Sequence, residues 1–328
     1  MELPAYYAPG DVGTLFLERA AMVAEAAERF REARRIPPAS ADVRRVAALG
    51  IDCQVAFCLP GASLFVPGAV EDSRRAIEWL YRHLASITTL FLTLDTHSVF
   101  QIFHPTSWVD GDGRPPSPFT PISARDVREG RWTPVLADPE VPDPRAAAIE
   151  YCEKLEATGR YVLTIWPHHA LLGGASHALV PALMEAVLFH AVARRTDPVF
   201  EIKGTARFTE NYSALSPEVR TLGGREVGVF NASLFDRLMA HERVYVFGQA
   251  KSHCVLETLR DLERECRRIE PGLLARIFVL EDATSPVPPP PLDPLPAALD
   301  FPRVADEAFR RLGEAGMNFV QTSDPVGA

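Results

Sequence analysis

Residues 244–262 read VYVFGQAKSHCVLETLRDL. An apolar run with strand character enters a short turn, and Cys254 then opens a segment with helical periodicity. The same unit recurs in both directions along the chain. VAALGID ends on Asp52 and precedes a helix over about 70–85; TTLFLTLDTH carries the next strand to Asp95. RYVLTIWP (160–167) reads as a strand before a helix over about 176–193, and DPVFEIKG (197–204) and ARIFVLED (275–282) as two more. Helices are expected near 254–268 and 302–315. This alternation predicts an α/β fold, a doubly wound, mostly parallel sheet in a Rossmann-type three-layer arrangement.

Ligands of such sheets bind outside the carboxyl ends of the strands. Asp52, Asp95, His169, Lys203 and Cys254 all fall at or just after expected strand ends, so five polar groups from distant parts of the chain should meet at one rim. Three stretches fall outside the repeat. Residues 1–43 form an N-terminal helical extension, whose amphipathic stretch 14–35 packs on the main domain or on a second copy in a homo-oligomer. Residues 105–147, rich in Pro, Gly and Asp, read as a long insertion near the site. The run within 285–297, SPVPPPPLDPLP, should be extended and polyproline-like. The remaining 44–328 reads as one domain.

Composition narrows the function classes. The formal net charge of −9 over 328 residues argues against broad nucleic-acid binding, which needs a cationic face. No apolar stretch approaches the length that spans a bilayer, and the start MELPAYYAPGD has neither a basic nor an apolar signal-like core. The chain reads as cytoplasmic, without a membrane partner. Five cysteines are too few for a disulfide scaffold, and none forms a CxxC pair.

Cys254, at a helix N-terminus, feels the positive end of the helix dipole, which favours thiolate. Backbone N–H groups of its turn can face a developing oxyanion. Asp52 can take a thiol proton, and the Lys203 ammonium nearby can hold both anions at workable protonation states. Each also has an ordinary explanation taken alone: a turn cysteine, a turn-capping carboxylate, a surface lysine. In LTLDTHSVFQIFHP the D-x-H spacing sends Asp95 and His97 to one side of an extended segment, with His104 further on. WPHHALLGG adds His168 and His169. Imidazoles with one carboxylate suit zinc, iron or manganese.

These motifs together resemble the nicotinamidase branch of the isochorismatase-like cysteine hydrolases. The opening D-x-Q motif reads IDCQVAFCLPGASL, with Asp52, Gln54, Phe57 and Ser63. The D-x-H motif supplies Asp95 and His97; the W-P-x-H motif supplies Trp166, Pro167, His168 and His169. The lysine motif is Lys203-Gly204-Thr205 with Tyr212-Ser213-Ala214 downstream. The nucleophile motif reads Gly248, Ala250, Cys254, Val255. The five motifs run in the family's order from about 46 to 260.

The resemblance implies a hydrolase acting on a linear amide, with Cys254 attacking the carboxamide, Asp52 as base and Lys203 stabilising the ion pair. It implies an oxyanion site at the N–H groups of Ala250 and Cys254 and a cis peptide between Gln249 and Ala250. It also implies a divalent metal, zinc first, on Asp95, His97 and His169, with His104 matched only loosely. The substrate is then a small-molecule aromatic amide, nicotinamide foremost, held by Phe57, Trp166, Tyr212 and Gln54. Departures are Thr96 in place of an aromatic residue, Ala56 in place of an acidic one, and the insertion after His104. They leave room for another amide, ureide or carbamoyl substrate, or for a non-catalytic binding protein on the same fold.

Overall fold

The computed structural model describes residues 2–326 apart from 137, 140, 160, 290–292 and 296. The central sheet has six strands: β1 (Val46–Ile51), β2 (Thr89–Asp95), β3 (Val199–Lys203), β4 (Arg243–Gly248), β5 (Ile277–Leu280) and β6 (Asn318–Val320). Their order is β6-β5-β4-β1-β2-β3, all parallel. From β1 the chain first winds outward through β2 to β3, then returns beside β1 with β4 and winds the other way. The strand order therefore reverses between β1 and β4, and the crevice of a doubly wound sheet opens there.

Both faces of the sheet are covered, which is why its strands are nearly continuous apolar runs. Ala48, Leu90, Leu92, Tyr245 and Phe247 pack under α1 (Ala20–Arg34), α2 (Ala69–His83) and α4 (Pro181–Arg194). Ala47, Leu49, Ile51, Val244 and Val246 pack under α5 (Ala232–Met239), α6 (Cys254–Ile269) and α7 (Phe301–Ala315). Of the two roles open to the N-terminal amphipathic stretch, the structure shows packing on the same chain. Val23 and Ala27 of α1 are buried, and the Arg19 guanidinium grips the buried Glu185 carboxylate of α4 at 3.0 and 2.8 Å. Among the described residues no helix is long and apolar enough to cross a membrane.

The sheet differs from the sequence expectation in two strands, one lost and one gained. Residues 161–167 do not join it; among them only Leu163–Thr164 forms a strand, paired antiparallel with Pro121–Ile122 in a separate two-stranded ribbon. Their apolar members Leu163, Ile165 and Trp166 instead fill a third core with Phe103, Trp108 and Tyr151. The stretch 105–147 is accordingly no bare loop. Ile122, Ala124 and Val127 enter that core, and α3 (Pro144–Thr158) begins inside the stretch, capped by the Asp143 side chain. The helix expected from 176 starts at Pro181, whose ring suits the first helical position. Strand β6 and helices α3 and α5 were not anticipated. Of the proline run, residues 290–292 and 296 lie outside the described residues; 285–289 is neither helix nor strand.

Candidate active site

Asp52 follows β1 with a left-handed φ of 47°, a conformation costly for a residue with a side chain. Its N–H donates to Thr93 Oγ1 at 2.9 Å, and that hydroxyl donates to Asp52 Oδ1 at 2.5 Å, so neighbouring β2 fixes the carboxylate. Lys203 ends β3 and reaches inward. Its Nζ lies 2.9 Å from Asp52 Oδ2, 3.1 Å from Asp95 Oδ1 and 3.8 Å from Cys254 Sγ, and donates to the Asn211 carbonyl at 2.8 Å. Three residues from positions 52, 203 and 254 thus meet in one buried cluster.

Gly248 turns the chain out of β4 with φ 121°; a Cβ there would lie 2.0 Å from the Ile51 carbonyl oxygen, so only glycine lets β4 end against β1. The Gln249–Ala250 peptide is cis. Cys254 is the first residue of α6. Among the described residues neither the Ala250 N–H nor the Cys254 N–H has a hydrogen-bond acceptor. Two unspent donors beside a thiol can receive an oxyanion.

Burial governs the charges. It pushes the Cys254 thiol well above its ordinary value, against the lowering effect of Lys203, while Asp52 and Asp95 raise it further. Loss of water thus works against the helix end, which favours thiolate. Burial also raises Asp52, opposed by Lys203, and the two carboxylates hold Lys203 firmly as an ammonium despite its own burial. A thiol beside an ion-paired carboxylate is poised to pass its proton to Asp52 as it attacks.

Asp95, His97 and His169 form a second cluster, with ligand atoms within 4.8 Å of one another. The donor set fits a divalent metal. His97 Nδ1 is 3.0 Å from the Gly204 carbonyl and His169 Nδ1 is 2.8 Å from that of Pro167, so both rings spend a protonated Nδ1 on backbone. Each then turns its Nε2 toward Asp95 Oδ2, at 3.0 and 3.9 Å, where His97 hydrogen-bonds the carboxylate and where both rings would give up any Nε2 proton to a metal. Gly204 makes this approach feasible, since a Cβ there would lie 2.5 Å from Asp95 Oδ1. Burial disfavours the Asp95 carboxylate, but His97, Lys203 and His169 outweigh it and keep it ionised. His104 stands outside the three-ligand group, its ring 5.7 Å from His97 and 5.6 Å from His169. Its buried Nε2 has no partner, and burial holds it neutral down to about 3. His168 faces away, toward Thr106 and Val99.

The remaining expected residues divide. Phe57 packs edge-on against His169 at 5.6 Å. Trp166 donates its Nε1–H to the Tyr212 hydroxyl at 3.1 Å, and both rings flank His253. Gln54 is no pocket residue. Fully buried, it donates to the Asp95 and His177 carbonyls at 2.8 Å each and accepts from the Asp95 N–H at 2.7 Å, which braces the metal-site backbone. Sequence reasoning missed His253, Tyr161 and Phe301, whose rings close the wall beside Cys254: Tyr161 stacks on His253 at 5.7 Å and Phe301 meets it at 4.9 Å. It also missed Glu210, a buried carboxylate raised to about 7 by burial and by Asp95. A D/E before the Y-S-A motif was the only local signal. The cleft of about 890 Å³ beside α3, lined in part by Asp143, Glu150, Phe208 and Arg225, includes none of the clustered residues.

The architecture is the isochorismatase-like α/β fold. An Acinetobacter baumanii nicotinamidase/pyrazinamidase matches with a TM-score of 0.51 at 19% identity, over 86% of this chain and 98% of that one. The yeast nicotinamidase bound to the inhibitor nicotinaldehyde matches with a TM-score of 0.52 at 18% identity, over 84% and 99%. At these identities the likeness is one of fold. No protein-family model matches the chain, and no curated protein matches it in sequence.

Proposed function

We propose that this chain is a metal-dependent cysteine amidohydrolase of the nicotinamidase type, converting nicotinamide and water to nicotinate and ammonia. The observation that carries the reading is the single ion-paired cluster in which Lys203 Nζ touches Asp52 and stands 3.8 Å from the Cys254 sulfur. Asp52 takes the thiol proton as sulfur attacks the carboxamide carbon. The Ala250 and Cys254 N–H groups hold the oxyanion. The C–N bond then breaks, nitrogen leaves as ammonia with the proton from Asp52, and a thioester remains on Cys254. Asp52 next deprotonates a water, whose oxygen displaces the thiolate and releases the acid; the proton returns to sulfur. Lys203 keeps a positive charge beside every anionic stage.

Asp95, His97 and His169 would hold a divalent ion, zinc first by donor type, with iron and manganese also compatible. Bound there, it would supply a Lewis-acid contact that orients a ring nitrogen of the substrate. Phe57, Trp166 and Tyr212 provide flat apolar walls for such a ring. The test is ammonia release from nicotinamide by the purified chain, beside Cys254→Ala and with metal content determined on the same sample. Release by the wild type alone, with about one divalent ion per chain, supports the reading. A folded, metal-loaded chain that spares nicotinamide but hydrolyses a ureide or carbamoyl compound moves the substrate and leaves the cysteine chemistry.

A further inference from the structure

The turn 249–254 carries the unspent N–H groups, and residues 285–287 after β5 touch it repeatedly. The Gln249 amide donates to Asp72 Oδ2 at 2.9 Å, and the Ser285 N–H reaches its Oε1 at 3.4 Å. The Lys251 N–H donates to the Ser285 carbonyl at 2.9 Å. The Val287 N–H donates to Ser252 Oγ at 3.0 Å, and that hydroxyl lies 2.9 Å from His253 Nδ1. Past the prolines, Phe301 packs on the His253 ring, and Lys251 pairs with Asp306 of α7 at 2.7 Å.

The chemistry of the run explains its reach. In Ser285-Pro286-Val287-Pro288-Pro289 only Ser285 and Val287 possess a backbone N–H, and both are given to the turn. Proline fixes the intervening backbone in extended form, so little freedom is lost on docking. The other anchor is Asp72 in the first turn of α2, a buried carboxylate that accepts from Gln249 at 2.9 Å and from Arg75 at 2.8 Å. An ionised carboxylate is acceptor-only, so it satisfies both donors, whereas an amide would meet one of them donor to donor. Gly68, the N-cap of α2, leaves the space for Ser285: a Cβ there would lie 2.5 Å from Ser285 Oγ.

We propose that residues 285–289 are a strap that positions the oxyanion-binding turn, with Asp72, Ser285 and Val287 as positioning residues. This rests on the reading that the Ala250 and Cys254 N–H groups receive the oxyanion. None of the three touches Asp52, Lys203 or the sulfur, so the strap acts on the donors and leaves thiol ionisation alone.

The experiment compares Asp72→Asn, Ser285→Ala and Val287→Pro in the full chain. Val287→Pro keeps an extended backbone while deleting the N–H given to Ser252, so it reports even where Asp72→Asn fails to fold. Misplacing the donors should lower kcat about 10- to 100-fold with KM changed less than about threefold. The pH profile of Cys254 alkylation by iodoacetamide should match the wild type, and amide hydrogen exchange over 249–254 should quicken about tenfold or more. Folded variants with wild-type kcat and exchange overturn the proposal, as does a kcat loss that tracks a shifted alkylation profile. If the wild type hydrolyses no amide, the exchange readout still decides: unchanged exchange in folded Ser285→Ala and Val287→Pro rejects the strap, whereas faster exchange keeps it while the amide reading alone falls.

Discussion

Asp52 and Asp95 share one ammonium group: Lys203 Nζ lies 2.9 Å from the first and 3.1 Å from the second. The thiol cluster and the metal-ligand cluster are therefore one electrostatic unit. Removing the charge should disturb both halves together.

Lys203→Met keeps much of the side-chain volume but leaves two buried carboxylates without their cation. Breaking such a pair costs about 3–5 kcal/mol, and activity should fall on the order of a thousandfold, as for loss of a member of a catalytic set. Thermal unfolding and kcat on the same preparation check this. Wild-type turnover in a folded Lys203→Met chain would remove the lysine from the mechanism.

Gly204→Ala drives a Cβ toward Asp95 Oδ1 and His97 Cε1, at 2.5 and 2.8 Å. With φ at 78° the backbone adds strain of about 1–2 kcal/mol. The sheet should survive while metal content per chain drops, measured by elemental analysis of purified protein. Full metal loading would show that the ligand cluster tolerates displacement.

Thiol reactivity follows from burial. With Cys254 pushed well above the ordinary thiol range, its alkylation should be slow near neutral pH and climb as pH rises beyond that of an exposed cysteine. In Lys203→Met, which loses the one opposing charge, the rise should shift further upward. Slow alkylation at neutral pH is thus compatible with a catalytic cysteine here.

Acid should destabilise the fold through buried histidines. His190 of α4 donates to the Ile87 carbonyl at 3.0 Å, and burial lowers it from 6.5 to about 4. The unfolded chain takes up this proton first, so the contribution of neutral His190 is complete above about 6.5 and is lost as pH falls toward 4. Each unit of difference corresponds to about 1.4 kcal/mol. Denaturant unfolding from pH 7.5 to 4 should show stability declining, less steeply in His190→Gln; equal slopes would exclude His190 as a source.

Much of the site was legible because strand ends are written locally. An apolar run followed by Asp52, Asp95, Lys203 or Cys254 says which rim each side chain joins, and the parallel topology does the rest. What was not legible depends on contacts across long sequence separations. Nothing near Asp72 announces that it holds Gln249, and the Gln54 amide looked available for a ligand until both its ends met backbone. RYVLTIWP read as a sheet strand because apolar periodicity cannot say which core it will enter. The helix end beside the Cys254 thiol is visible in sequence, while the depth of its burial is not.

The most direct measurement is intact-protein and peptide mass spectrometry of the chain quenched during turnover of nicotinamide. The account predicts a nicotinoyl thioester on Cys254, absent from Cys254→Ala, which should release no ammonia above background. Ammonia release that persists in Cys254→Ala, or an acyl group carried by another residue, would contradict it.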